Sequence, residues 1–254
     1  MLSETDTFAE IWPDLDWQPD SLQIHQFERL YELVIAGNER LNLTRITERT
    51  EFWEKHLWDS LRGVITMPAA DLSVIDIGTG AGFPGLPVAI CRPEWYVVLL
   101  DSVRKKSGFV SSVVQTLGLT NTRALTARAE DLAHRREHRE SYDLALLRAV
   151  APANVCAEYG LPFVKVGGSA VLYRGNWEVL EEVELARACS ALGAEIAEVD
   201  AFELPLTGAV RHCVQLRKLK PGLGVFPRSS GLPVQHPLGA LEGRCPIPED
   251  DQTE

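Results

Sequence analysis

Between residues 73 and 87 the chain reads SVIDIGTGAGFPGLP. An apolar strand running into a Gly-rich turn delivers the backbone to the carboxyl edge of a sheet, where open α/β folds bind ligands. Gly78, Gly80 and Gly82 let the chain turn tightly and approach a ligand closely. A dinucleotide loop would follow G-x-G-x-x-G/A and needs a small residue at position 83, which here is Phe83. The spacing is D-x-G-x-G-x-G instead, with Asp76 at the strand end, and it points to S-adenosylmethionine. That sulfonium has no pyrophosphate for a helix N-terminus to hold, and a carboxylate near the loop suits its cationic amino-acid portion. A second acid, Asp101, ends the apolar run WYVVLLD 21 residues after Gly80. An acid there can accept hydrogen bonds from both ribose hydroxyls of an adenosyl group.

Other chemistry is thinly signalled. The five cysteines are widely spaced with no CxxC, so neither a zinc site nor a disulfide framework is expected. Cys245 lies in an Arg-Cys-Pro context, the reverse of the Pro-Cys order that some base methyltransferases use as a nucleophile, and is expected to be inert. Arg148 is the one charge closing the otherwise apolar stretch LALLR.

Around these residues the pattern alternates. Strands are expected at Ser73–Ile77, Val97–Asp101, Thr122–Thr126, Tyr142–Leu147 and Ser169–Tyr173, with a closing hairpin over Glu195–Leu204 and Arg211–Leu219. Helices are expected over Val103–Leu117, Pro152–Phe163 and Trp177–Leu192, the last with Glu178, Glu181, Glu182 and Glu184 as a solvated face. The order implies a doubly wound, mostly parallel seven-stranded α/β sheet of the class I methyltransferase type. The expected organisation is an irregular acidic arm (1–20), an N-terminal helical region (21–66), a methyltransferase domain (67–220) and a loose or surface-hugging C-terminal tail (221–254). Within the helical region, periodic apolar residues predict helices after Asp20 and over Glu51–Val64.

The net charge of −11 is concentrated at the ends: six acids lie in residues 1–20 and four in 249–254, with no Lys or Arg in either stretch. From Pro205 to Leu241 there is no acid, but Arg211, Arg217, Lys218, Lys220 and Arg228 are present, so a locally basic surface is expected on an acidic chain. No apolar run reaches the length of a membrane span and the N-terminus lacks a signal-peptide pattern, so a cytoplasmic protein without membrane attachment is expected.

The blocks NERLNLTRIT, EFWEKHLWDSL, VIDIGTGAGFPGLPVAI, LLDSVRKKSGF, YDLALLRAVAP and FPRSSGLPVQHPL together resemble the glucose-inhibited division protein B family, bacterial enzymes that form 7-methylguanosine in 16S ribosomal RNA of the small subunit. The resemblance runs from about Leu22 to Leu238. It implies adenosylmethionine contacts at Gly78, Phe83, Asp101, Ser102, Val103, Ala129, Glu130 and Arg148, with Asp76, Gly80 and Gly82 supporting the loop. It also implies small-subunit ribosomal RNA as partner, naked or in an assembled or assembling subunit, and no metal. Where the family has Lys-Gly after the fifth strand, this chain has Arg174-Gly175. Guanine N7 carries an exposed lone pair and no proton. No obligatory general base is therefore expected, and the substrate-side candidates are Asn42, Thr44, His56, Asp59, Ser60, Arg148, Arg174 and Arg211. Plainer roles stand beside these: Asn42 and Thr44 as helix-end caps, His56 and Asp59 as a local helical pair, Glu130 as a first-turn acid. Competing readings are a methyltransferase of another substrate, a nicotinamide oxidoreductase, against which Phe83 argues, and a non-catalytic RNA-binding module.

Overall fold

The computed structural model describes residues 11–68 and 70–241. A 3-10 turn (Trp12–Leu15) precedes helix α1 (Ser21–Leu41), which starts on a reciprocal Asp20–Gln23 capping box and ends on Asn42 in the left-handed conformation. Residues 49–62 form α2 in three joined segments: α-helical Arg49–Phe52, π-helical Trp53–Trp58 and α-helical Asp59–Arg62. Then follow β1 (Ser73–Ile77), α3 (Gly85–Cys91), β2 (Tyr96–Asp101), α4 (Arg104–Thr116), β3 (Thr122–Thr126), α5 (Ala129–Leu132), β4 (Tyr142–Arg148) and α6 (Ala153–Gly160). The chain continues through β5 (Val164–Arg174), α7 (Val179–Leu192), β6 (Ala194–Glu203), β7 (Val210–Lys218) and the short α8 (Leu232–Gln235).

The sheet order is β3-β2-β1-β4-β5-β7-β6. All pairings are parallel except β5 with β7 and β7 with β6. The order reverses between β1 and β4, and the loops leaving these neighbours diverge to opposite faces, opening a crevice at the carboxyl edge. Both faces are covered, which is why β1, β2 and β4 are near-continuous apolar runs. Alternate residues divide between two cores. Val74, Val97, Leu99, Leu144, Leu146 and Val171 pack toward α1–α4. Ile75, Ile77, Val98, Leu100, Ala145, Leu147 and Leu172 pack toward α6 and α7.

This two-residue period settles where Arg148 goes. It follows Leu144 and Leu146 onto the α2 side of the sheet, as Tyr173 follows Val171.

The structure corrects several expectations. Residues 11–17 are not a loose arm: Ile11, Trp12 and Leu15 are buried, and Trp12 packs against Trp17, Phe27 and Trp53. Residues 1–10, which carry part of that predicted arm, lie outside the described residues, as does Cys245. The tail is anchored as far as Leu241. The Arg139 guanidinium donates to the carbonyls of Gly222, Leu223 and Phe226, Arg228 pairs with the fully buried Glu158, and Asn154 holds the Leu238 carbonyl. The basic stretch is not one surface either, because Lys218 is buried against the Leu161 carbonyl. On α7, Glu184 is buried beneath the Leu241 amide rather than solvated, because the anchored tail covers it. β5 begins five residues earlier than expected.

Candidate active site

The Gly-rich turn is held at its base by backbone. The amides of Gly78 and Thr79 both donate to the Leu100 carbonyl at the end of β2, at 2.8 and 3.0 Å. Gly78 has φ +72°, and a Cβ there would come within 2.7 Å of Val150, so glycine keeps this part of the cleft open. Asp76 is fully buried; its Oδ2 accepts from Thr79 Oγ1 (2.6 Å) and from the Gly85 amide (2.9 Å), tying the two ends of the turn together. Burial pushes its pKa up to about 6, against the hydrogen bonds from Thr79 and Gly85. Asp76 thus supports the loop through Oδ2, while its buried Oδ1 has no hydrogen-bond partner among the described residues.

Asp101 is the carboxylate that reaches the cleft. Its Oδ2 accepts from the Gly80 amide (2.9 Å) and its Oδ1 from the Val103 amide (2.7 Å), so one side chain fixes the loop and the start of α4 together. Each oxygen retains lone-pair capacity for a further donor.

A cleft of about 290 Å³ opens here, lined by Gly78, Asp101, Ser102, Ala129 and Glu130 from the expected set, together with Ile77, Leu100 and Ala127. Glu130 is buried; burial would raise its pKa, but the Arg128 guanidinium at 2.9 Å and backbone N–H groups outweigh that and hold it down. The side chains of Phe83 and Val103 are not in the lining: Phe83 is turned into the core and Val103 points outward. Sequence reasoning missed Arg128, Val150, Ala151, Tyr159 and Val234 in this wall. Arg128 was legible in retrospect, two residues before a buried acid. Val234 was not, because it arrives on α8 from the far end of the chain. The residues present fit an adenosyl ligand: a ribose-height carboxylate on a rigid loop, a largely apolar slot, and a glycine where a Cβ would intrude.

A second cavity of about 580 Å³ lies on the α2 side, lined by Ile46, Lys55, His56, Asp59, Arg148, Ala149, Tyr173, Arg174, Gly175, Asn176 and Arg211. Its centre is a convergence on Arg148. Nη1 donates to the Lys55 carbonyl (2.9 Å) and to Asp59 Oδ2 (3.2 Å), Nη2 donates to His56 Nδ1 (3.2 Å), and the guanidinium lies 5.5 Å from the Phe83 ring centroid. Arginine only donates, so His56 Nδ1 is the acceptor and its Nε2–H donates to Thr44 Oγ1, 2.8 Å away. Burial, with Arg148 and Lys55 adding to it, pushes the His56 pKa down to about 2, so the ring is neutral. Burial raises the Asp59 pKa, opposed by Arg148 and Arg211.

His56 and Asp59 are not a pair with each other: both serve Arg148. Arg148 has a carboxylate partner in Asp59, contributed by an element 89 residues away. Asn42 is an exposed cap on α1 and does not line either cavity. Ser60 is buried, its hydroxyl on the His56 carbonyl and its own carbonyl accepting from Tyr173, so it supports the site without lining it.

Four cations face this cavity and only one acid, Asp59, lines it. Arg148 is paired with Asp59, Lys55 with Glu51 and Arg174 with Glu181. Arg211 donates to the neighbouring Val210 carbonyl and makes no ion pair among the described residues, acting on Asp59 only through space. The two cavities are divided by four residues. Arg148 and Ala149 line one, Val150 and Ala151 the other. Ala149 sits at φ +55°, a strained conformation for a residue with a Cβ and one that concentrates at functional sites.

Residues 23–212 match the GidB family, described as rRNA small subunit methyltransferase G. The chain is 73% identical to the ribosomal RNA small subunit methyltransferase G of Gloeobacter violaceus, covering 96% of this chain and 97% of that one. It is 52% identical to the protein of the same name in Trichormus variabilis, over 91% and 97%. Among solved structures, M. jannaschii TYW2 in complex with AdoMet superposes with a TM-score of 0.52 at 14% identity over 69% of this chain and 78% of that one. A SAM-dependent methyltransferase from Aquifex aeolicus gives 0.52 at 15% over 70% and 97%. At those identities the likeness shows the fold.

Proposed function

The chain belongs to the rRNA small subunit methyltransferase G (GidB) family, and on that premise we propose that it transfers a methyl group from S-adenosyl-L-methionine to N7 of a guanine in 16S ribosomal RNA of the small subunit. The observation that carries this reading is the pair of adjoining cavities at one sheet edge: a nucleoside-shaped cleft and a cation-rich pocket separated only by residues 148–151.

When bound, S-adenosylmethionine supplies an electrophilic methyl group on a sulfonium. The protein's residues bind and orient. Asp101 accepts from the ribose hydroxyls, and Ala129 and Glu130 border the base. Gly78 and Val150 set the width of the cleft between them. On the other side of the partition, the cations hold the RNA backbone against the pocket mouth. Guanine N7 attacks with its own lone pair and no proton leaves first. The one histidine lining the pocket has both ring nitrogens committed, to Arg148 and Thr44, which fits a reaction that needs no general base. Rate enhancement then comes from proximity and alignment of an unstacked guanine. A cytoplasmic site of action goes with this substrate; among the described residues no helix is long and apolar enough to cross a membrane.

The test is a deletion strain. Its 16S rRNA lacks one 7-methylguanosine by nucleoside mass spectrometry, and the purified protein restores it in vitro with S-adenosylmethionine. Supplying naked RNA and small subunits in parallel identifies which form is taken. Restoration of a methyl group on a different atom, or none on either substrate, overturns the reading.

A further inference from the structure

Glu54 is fully buried on the π-helical segment of α2, between the aromatic core and the β6–β7 hairpin. Among the described residues its carboxylate makes no ion pair. Oε1 accepts from the amides of Leu206 (2.6 Å) and Thr207 (2.8 Å), and Oε2 from the Thr207 hydroxyl (2.9 Å). These donors belong to the turn that joins β6 to β7, 152 residues away in sequence. Four residues past Thr207 stands Arg211, the pocket cation that makes no ion pair among the described residues. Two residues past Glu54 stands His56, on the opposite wall of the same pocket. A buried carboxylate oxygen left without donors is costly, so the three donors of the turn and the Glu54 side chain hold one another in place.

A second contact joins α2 to the hairpin farther from the turn. Arg62 pairs with Asp200 at 2.8 Å and stacks on Phe202, which is the register partner of Arg211. The hairpin lies at the sheet edge, and β6 pairs only with β7. The β5–β7 ladder fixes β7 as far as His212, opposite Arg174, and the turn beyond it is held by α2 through Glu54.

We infer that Glu54 is a positioning residue for RNA binding: by gripping the 206–207 turn it holds Arg211, next to the last β5–β7 pair, in the wall of the cavity that Arg148 and Arg174 also line, for contact with backbone phosphate. The inference rests on the reading of the cation-rich pocket as the RNA side. It makes the π-helical turn, which advances Glu54 and His56 together, part of substrate recognition.

The experiment is a cycle of Glu54→Gln and Arg211→Ala, read with unmethylated small subunits and tritiated S-adenosylmethionine, together with calorimetry of adenosylhomocysteine. Arg211→Ala raises KM for subunits about tenfold and reduces the slope of log KM against log salt by about 0.7, the loss of one phosphate contact. Glu54→Gln raises KM at least about threefold, lowers the same salt slope, and leaves adenosylhomocysteine affinity unchanged. In the Arg211→Ala background, Glu54→Gln adds nothing further to KM or to the slope. Thr207→Val, which removes only the hydroxyl donor, gives the same pattern in smaller degree and serves if Glu54→Gln does not fold. Additive effects, or an unchanged salt slope in both Glu54→Gln and Thr207→Val, show a merely structural clamp and overturn the inference. An Arg211→Ala variant with unaltered KM and slope overturns the RNA-side reading itself.

Discussion

The rings of His56 and Phe83 lie face to face, with centroids 4.3 Å apart and planes 4° from parallel. Phe83 leaves the Gly-rich turn and His56 leaves the π-helical segment, so the stack couples the cofactor loop to the wall of the substrate pocket. It also shuts water away from the imidazole, and that desolvation is the main reason the ring stays neutral.

His56 is accordingly expected to hold one tautomer throughout the working range. In 15N-detected NMR its Nε2 carries the proton, and both ring shifts are flat between about pH 5 and 8. The linkage has a sign. With the folded pKa near 2 against 6.5 unfolded, the stabilisation is complete above about 6.5 and is lost as pH falls below it. A titration of His56 within that range removes the neutral assignment.

Asp101→Ala is expected to weaken adenosylhomocysteine binding by at least about tenfold, since a hydrogen bond to a charged acceptor contributes about 1.5–3 kcal/mol. The effect includes loosening of the loop, because Asp101 also holds the Gly80 and Val103 amides. Calorimetry measures it. Affinity unchanged within error places the ribose elsewhere.

Arg148→Ala is expected to abolish methyl transfer. From sequence the fold was expected to survive this change intact; with Asp59 left buried and unpaired, the variant should instead lose roughly 3–5 kcal/mol of stability. Arg148→Ala combined with Asp59→Asn recovers much of that stability in urea titrations but none of the turnover. Recovery of turnover in the double variant means that Arg148 serves only to neutralise Asp59.

Asp76 supplies a pH dependence of opposite sense. Its folded pKa of about 6 lies above the ordinary 3.8, so the folded state binds the proton more tightly and stability declines as pH rises from about 4 to 6. Asp76→Asn removes this term. The stability of the variant relative to the parent should shift in its favour by up to about 3 kcal/mol across that window, by the conversion of two pKa units. A difference that does not vary with pH shows that Asp76 is ionised throughout.

The sheet and the cofactor loop were readable because they depend on local signals: apolar runs of strand length, glycines at fixed offsets, and acids ending two strands. Asp101 could be singled out for the same reason. The pocket on the α2 side was only half readable. Residue types marked Arg148, His56, Asp59, Arg174 and Arg211, but nothing in their spacing says that His56 and Asp59 turn to Arg148 rather than to each other. That follows from the alternation along β4 and the wider turn of the π-helical segment, and the second of these has no sequence period of its own. Nothing in the sequence around Glu54 marks it as buried. The tail was expected to be loose or surface-hugging because Pro and Gly mark irregular backbone and carry no information about whether irregular backbone is anchored. Its anchors, Arg139, Asn154 and Glu158, lie about 80 residues upstream of what they hold.

That anchoring has a consequence for the order of events in the cell. Chains fold from the N-terminus as they are made, and Val234 is the last part of the cleft wall to leave the ribosome. The Gly-rich loop, Asp101 and Glu130 are all in place more than 100 residues earlier in the chain. A nascent chain can thus assemble the sheet while its adenosyl cleft still lacks one side. The Arg228–Glu158 pair, just ahead of α8, belongs to this last-made part of the wall.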